Sequence, residues 1–167
     1  ALRNPPMKAK INLGLVGVGR MGLAYARYLA FRVPGATLHA VSDVRAAVVE
    51  AARAEFGAAR AYPDFNDLVN DPSVDAVVVM TPTRHHREVV VAAAQAGKAI
   101  FCEKPLALGL DEAEAMKAAV AQSGVFFQLG FMRRFDAGYA AAKRQIDAGA
   151  IGKVCVFKST SKDKERP

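Results

Sequence analysis

Three glycines and one carboxylate carry the first chemical signal in this chain. Gly17-x-Gly19-x-x-Gly22 follows an apolar run containing Ile11, Leu13, Leu15 and Val16 and runs straight into a helix-forming segment over 23–29. Strand, glycine turn and helix in that order suit the pyrophosphate of a dinucleotide. Gly17 permits the tight turn, Gly19 lets backbone approach phosphate, and Gly22 lets the new helix pack on the sheet. The helix start then offers unpaired N–H groups and partial positive charge. An acid arrives at the expected distance: Asp43 ends the strand-like run over 37–42, 21 residues after Gly22. A carboxylate there accepts hydrogen bonds from the adenosine ribose hydroxyls. Asp43 could also serve as an N-cap for the helix over 46–56, and the ribose role is favoured.

These residues need elements to hold them, and the rest of the chain supplies an alternating series. The segment over 46–56 reads as an Ala-rich helix with Gly57 as its C-cap, and a short strand is expected near 60–62. A short helix follows over 64–69, and Pro72 marks the turn after it. Residues 75–80 form a β-branched run without polar alternation, which belongs in a parallel strand covered on both faces. That run ends at Thr81-Pro82-Thr83, where an open sheet presents its ligand-binding loops. His86, Val89, Val90, Ala93 and Ala94 recur at helical spacing up to Gly97, and 99–102 is a fifth strand. A helix over 111–122 is expected with Asp111 as N-cap and Glu114 completing a capping box. A sixth strand follows over 125–129, and the pattern as a whole is that of a doubly wound parallel α/β sheet.

The remaining stretch reads differently. Residues 136–148 are helical, and 154–157 form an apolar strand with no helix after it. The expected organisation is an arm over 1–10, a nucleotide-binding domain over 11–131, a connecting helix over 132–150 and the first strand of an incomplete second domain over 151–167. Met7 is a plausible natural start.

Composition bounds the function classes. At 167 residues, 52% hydrophobic and 23% charged, the chain can bury a core and is not a disordered segment. No apolar run reaches the length needed to cross a bilayer, and nothing before Ile11 reads as a signal peptide. The net charge of +7 is scattered rather than gathered into a stripe, so it reads as solvated surface and not as a nucleic-acid footprint. Cys102 and Cys155 lack any partner at metal-ligand spacing, so no metal site is expected. Both read as reduced thiols in strands, which suits a cytoplasmic protein.

Taken together, the segments 17–22 (GVGRMG), 81–86 (TPTRHH), 102–105 (CEKP) and 130–136 (GFMRRFD) resemble the glucose-fructose oxidoreductase and inositol dehydrogenase family, most of all the myo-inositol 2-dehydrogenases. The resemblance spans 10–163, and the Glu-Lys-Pro tripeptide is its most specific part. It implies hydride transfer between nicotinamide and a secondary alcohol of a cyclic polyol or sugar. Lys104 would take the hydroxyl proton. A lysine can serve so when burial and an adjacent positive charge lower its pKa toward neutrality. Gly17, Gly19, Arg20, Met21, Asp43, Thr81, Pro82, His86 and Glu103 would hold the cofactor, with Glu103 on the nicotinamide ribose and His86 helping to close the loop after Thr81. Pro105 would carry a cis peptide bond that turns Lys104 inward. Met132, Arg133 and Asp163 would line the polyol pocket beside Lys104.

Asp43 favours NAD over NADP, since a carboxylate repels a 2′-phosphate; Arg45 could reach that phosphate and leaves NADP open. The family's second domain contributes an aspartate and a histidine to the proton relay and usually the oligomer contacts, and this chain ends before any such pair. A non-catalytic dinucleotide-binding sensor or scaffold is the alternative.

Overall fold

The computed structural model describes residues 10–160, which fall into two units divided between Gly130 and Phe131. The first unit holds a six-stranded sheet. Its strands are β1 (Ile11–Val16), β2 (Ala36–Ser42), β3 (Arg60–Tyr62), β4 (Ala76–Val79), β5 (Ala99–Cys102) and β6 (Phe127–Leu129). All pairings are parallel, in the order β3-β2-β1-β4-β5-β6. The order reverses between β1 and β4. At such a switch point the loops diverge to opposite faces and open a crevice beyond the strands' carboxyl ends.

Five helices connect these strands: α1 (Arg20–Phe31), α2 (Ala46–Phe56), α3 (Phe65–Asn70), α4 (His86–Gln95) and α5 (Leu110–Ser123). The unbroken apolar character of β4 follows from having helices on both sides. Val77 and Val79 face a core shared with Leu68, Val89, Val90, Ala93 and Met116, whereas Val78 faces the opposite core with Leu15, Ala26, Val41 and Val49. The two-residue period of a strand thus sends alternate side chains into two separate cores, each of which demands an apolar residue.

Most expected elements form, with shifted ends. The α2 and β5 bounds agree with the sequence reading, and Gly57 caps α2 in the left-handed region at φ 69°. Helix α5 departs from it. Gly109, not Asp111, is its N-cap, and no side chain caps it. The Glu112 carboxylate instead accepts from the Leu108 amide at 3.1 Å. Asp111 and Glu114 carry the spacing of a capping box, but the helix has already begun at Leu110, so Asp111 lies within the first turn, where its charge still suits the dipole.

In the second unit, Met132–Phe135 form one 3₁₀ turn and α6 (Ala137–Asp147) follows. Asp136 caps α6 by accepting from the Gly138 and Tyr139 amides. The strand expected over 154–157 is not formed. Those residues are exposed and have no ladder neighbour among the described residues, and a strand exists only through its ladder. Cys155 is therefore exposed and outside any strand, whereas Cys102 is buried in β5, where burial and then the Glu103 charge push its thiol up to about 12.

Candidate functional site

The carboxyl ends of β1, β4 and β5 lie side by side, with Val16 paired to Val79 and Val79 to Cys102. Gly17, the Met80–Thr81 corner and Glu103–Lys104 are thus the next residues on three adjacent strands. At a spacing of about 4.8 Å per strand, the Lys104 backbone lies roughly 10 Å across the sheet from the glycine turn.

The glycine turn is built by contact as well as by conformation. Gly17 sits at φ 95°, and a Cβ there would lie 2.7 Å from the backbone of Met80 and Thr81. A Cβ on Gly22 would lie 1.9 Å from the Gly17 carbonyl oxygen, so α1 starts as close to the turn as backbone allows. Gly19 differs: a Cβ there would meet nothing within 4 Å. The space it leaves is open crevice, and Gly19 is also the N-cap of a helix with no side-chain cap and no acid in its first turn. The amides of that turn are left to a ligand.

A crevice of about 940 Å³ opens here, lined by Gly17, Gly19, Arg20 and Met21 on one side and by Met80, Thr81 and Pro82 on another. Asp43 and Arg45 also line it, and Asp43 adjoins the glycine turn through the Val18 amide. Thr81 lines this crevice, and its hydroxyl is buried with no hydrogen-bond partner. Phosphate-ready amides, open space at Gly19, an ionised acid and an orphaned hydroxyl together fit a dinucleotide. A second hollow of about 540 Å³ beside α5 is lined mainly by apolar side chains and gathers no convergent polar groups.

Asp43 is held by four donors. Its Oδ2 accepts from the Val18 amide at 2.9 Å and from Arg45 Nη2 at 2.8 Å. Its Oδ1 accepts from Arg45 Nε at 2.8 Å and the Arg45 amide at 3.1 Å. The Arg45 side-chain bonds, helped by the two amides and opposed by burial, bring its pKa down to about 2. At Asp71, burial alone would raise the pKa. The Ser73 amide and Tyr62 hydroxyl outweigh it and hold the carboxyl below its usual value.

Groups depressed in the fold contribute stability above the ordinary carboxylate range and lose it as pH falls toward the folded value. Tm is therefore expected to stay level from neutrality to about pH 5 and to drop between about pH 4 and 2, with Asp43→Asn flattening part of that slope. A Tm unchanged down to about pH 2 would contradict this assignment.

Other expected residues stand elsewhere. His86 is 1% exposed and does not line the crevice. Its Nε2 lies 2.9 Å from the Thr81 carbonyl oxygen, and its Nδ1 lies 3.0 and 3.2 Å from those of Pro105 and Leu106. It ties the loop after β4 to the loop after β5. Glu103 also lies outside the crevice lining; its carboxylate accepts from the Tyr25 hydroxyl at 3.2 Å and from the Lys104 amide. Burial, then the Glu103 charge, push that tyrosine up to about 12. The Lys104–Pro105 peptide is cis, as expected.

Lys104 itself is exposed and does not line the crevice, so the burial expected around it is not found among the described residues. Met132 and Arg133 belong to the second unit, where Arg133 lies 5.6 Å over the Tyr139 ring and 3.8 Å from Asp136. Asp163 lies outside the described residues.

The sequence reading also missed part of the lining. Pro63 and Asp64 of the β3–α3 loop and Phe65 and Asn66 at the start of α3 reach the crevice, as do Arg84, His85 and Glu88. Their signal was position: each follows the carboxyl end of a parallel strand.

Comparison with known proteins agrees with this geometry. Residues 11–131 match a family described as oxidoreductases with an NAD-binding Rossmann fold. The chain belongs to that family. It is 42% identical over 161 residues to a scyllo-inositol 2-dehydrogenase (NAD(+)) of Bacillus subtilis, covering 96% of the chain and 47% of that protein. It is 38% identical to a myo-inositol 2-dehydrogenase of Thermotoga maritima, covering 94% and 47%. Among solved structures, the scyllo-inositol dehydrogenase of Lactobacillus casei with bound NAD(H) and scyllo-inositol superposes with a TM-score of 0.82 at 38% identity, covering 86% of this chain and 42% of that one. The chain thus spans about half the length of the curated relatives it matches, at 47% of each.

Proposed function

We propose that the protein to which this chain belongs oxidises a ring hydroxyl of an inositol, with NAD as hydride acceptor. The observation that carries the reading is the alignment of three strand ends. The glycine turn, the Thr81–Pro82 loop and Lys104 follow β1, β4 and β5 in adjacent positions, and the first two line a crevice that Asp43 also lines.

In this reading bound NAD supplies an acceptor for hydride from the carbinol carbon. The chain's residues do the rest. The first turn of α1 holds the pyrophosphate, and Gly19 leaves it room. Asp43 accepts from the adenosine ribose, and Thr81 and Pro82 flank the nicotinamide end. Glu103 is braced by Tyr25 to meet the second ribose. Lys104 Nζ removes the hydroxyl proton as hydride departs, acting as general base. Met132, Arg133 and Asp163 contribute to the polyol pocket.

The assigned organisation is a nucleotide-binding domain over 11–131, a connecting helix over 132–150 and, from 151 onward, the start of a substrate domain through which copies associate. A cytoplasmic location belongs to this reading as a proposal. As a separate fact, no described helix is long and apolar enough to cross a membrane.

The exposure of Lys104 favours one second reading, a dinucleotide-binding sensor that does not turn over. Incubating the whole protein with NAD and either scyllo- or myo-inositol while following NADH absorbance separates the two. Inositol-dependent NADH formation is the expected result. Tight NAD binding with no reduction across a panel of inositols and sugars would support the sensor instead.

A further inference from the structure

The buried His86 ring presents both of its nitrogens to carbonyl oxygens. Nε2 lies 2.9 Å from that of Thr81, and Nδ1 lies 3.0 and 3.2 Å from those of Pro105 and Leu106. Among the described residues no other donor reaches these three oxygens. A carbonyl only accepts, and a neutral imidazole donates from one nitrogen alone. In the neutral ring, therefore, one of the two sides sets a nitrogen lone pair against a carbonyl, whereas the imidazolium donates on both. The number of loops tied depends on one proton.

We propose that His86 is a proton-dependent clasp between the loops after β4 and β5, and that its second proton tightens the dinucleotide crevice. This rests on the crevice being a dinucleotide site, as argued above. The geometry also selects the side that opens. Because Nδ1–H meets two carbonyls and Nε2–H meets one, the neutral ring keeps its proton on Nδ1 and gives up Thr81. Thr81 lines the crevice, and Pro105 and Leu106 do not. Loss of the second proton thus frees the crevice loop while the turn after Lys104 stays tied. The charged groups on the surrounding elements are engaged elsewhere or exposed. Glu103 accepts from Tyr25 and the Lys104 amide, and Glu112 accepts from the Leu108 amide. Next to His86, Arg84 and Glu88 both bond His85, and Arg87 is exposed, as are Lys104, Glu114 and Lys117 across from it. Among the described residues none forms an ion pair with the His86 ring, and the third histidine, His39, lies 3.6 Å from Asp71.

The test follows the His86 ring-nitrogen shifts by NMR on this chain between about pH 5.5 and 8.5, with the NAD dissociation constant measured calorimetrically at the same pH values. The ring shifts report the proton directly. The Thr81 and Thr83 amides are expected to move along the ring's own titration curve, and those of Leu106 and Ala107 much less. NAD should bind about threefold to tenfold more weakly once the ring is neutral, the effect of one lost hydrogen bond. His86→Gln is expected to abolish this pH dependence, and the same change at His39 or His85 to leave it in place. A histidine that only fills space would weaken binding on removal without linking it to pH. In the unaltered chain, a Thr81 amide that ignores the ring's titration, a ring that holds one protonation state throughout, or an NAD constant that changes less than about threefold across the titration would each overturn the clasp. Failure to bind NAD at every pH would overturn the dinucleotide reading, and the coupling with it.

Discussion

Gly22→Ala is expected to unfold or severely destabilise the first unit, whereas Gly19→Ala should fold normally and lose the cofactor. The two positions belong to one motif, yet their surroundings are opposite. A methyl group on Gly22 would sit 1.9 Å from the Gly17 carbonyl oxygen, an atom fixed by the turn and unable to yield. Overpacking typically costs about 1–3 kcal/mol, and a clash with backbone belongs at or above the top of that range. A domain has only about 5–15 kcal/mol to lose.

A methyl on Gly19 would meet nothing within 4 Å. Its structural cost is confined to a poorer N-cap, about 1 kcal/mol. The methyl would, however, occupy the approach of the pyrophosphate to the α1 amides, so NAD affinity should fall by at least about tenfold, or 1.4 kcal/mol. Thermal unfolding and NAD titration of both variants check this. Equal stability of the two, or unimpaired NAD binding by Gly19→Ala, would contradict the assignment.

The second large effect belongs to Lys104. In the whole protein, Lys104→Ala is expected to lower kcat for inositol oxidation by about 10²-fold or more, the usual contribution of a positioned acid–base group. NAD affinity should change little, because Lys104 does not line the crevice. Raising the pH should partly restore the rate in the variant, as hydroxide takes over the proton transfer. A variant with unchanged kcat would remove Lys104 from the mechanism, and one that failed to bind NAD would place it in the cofactor site instead.

The fold was largely legible because its signals are local and redundant. The β4 run is apolar on both faces since Val77 and Val79 enter one core and Val78 the other, and a sequence shows that as missing alternation. Gly57 announced the end of α2 because only the left-handed region closes the helix there. The start of α5 was misread because Asp111 and Glu114 imitate a cap, whereas Gly109 caps through backbone alone. The expected strand over 154–157 failed for a different reason: apolar composition permits a strand, but pairing makes one.

The candidate site was legible where spacing encodes it, at the glycine turn, Asp43 and the Thr81–Pro82 loop. It was illegible where side chains from distant segments meet. His86 opens a helix at helical spacing, and nothing local announces that both ring nitrogens will engage backbone carbonyls from two loops. The brace of Glu103 by Tyr25 joins residues 78 positions apart. The fourfold occupancy of Asp43 depends on a guanidinium rotamer that no spacing specifies.

The central claim is that a dinucleotide lies across the first strand–helix junction and reaches toward the tip of β5. The most direct measurement is an amide-resolved NMR titration of this chain with NAD. The account predicts saturable shifts at Val18, Gly19, Arg20 and Met21, at Arg45 and Thr81, and at Glu103 and Lys104, with little change along α5. Shifts confined to the α5 hollow, or a glycine turn unmoved at saturating NAD, would contradict it.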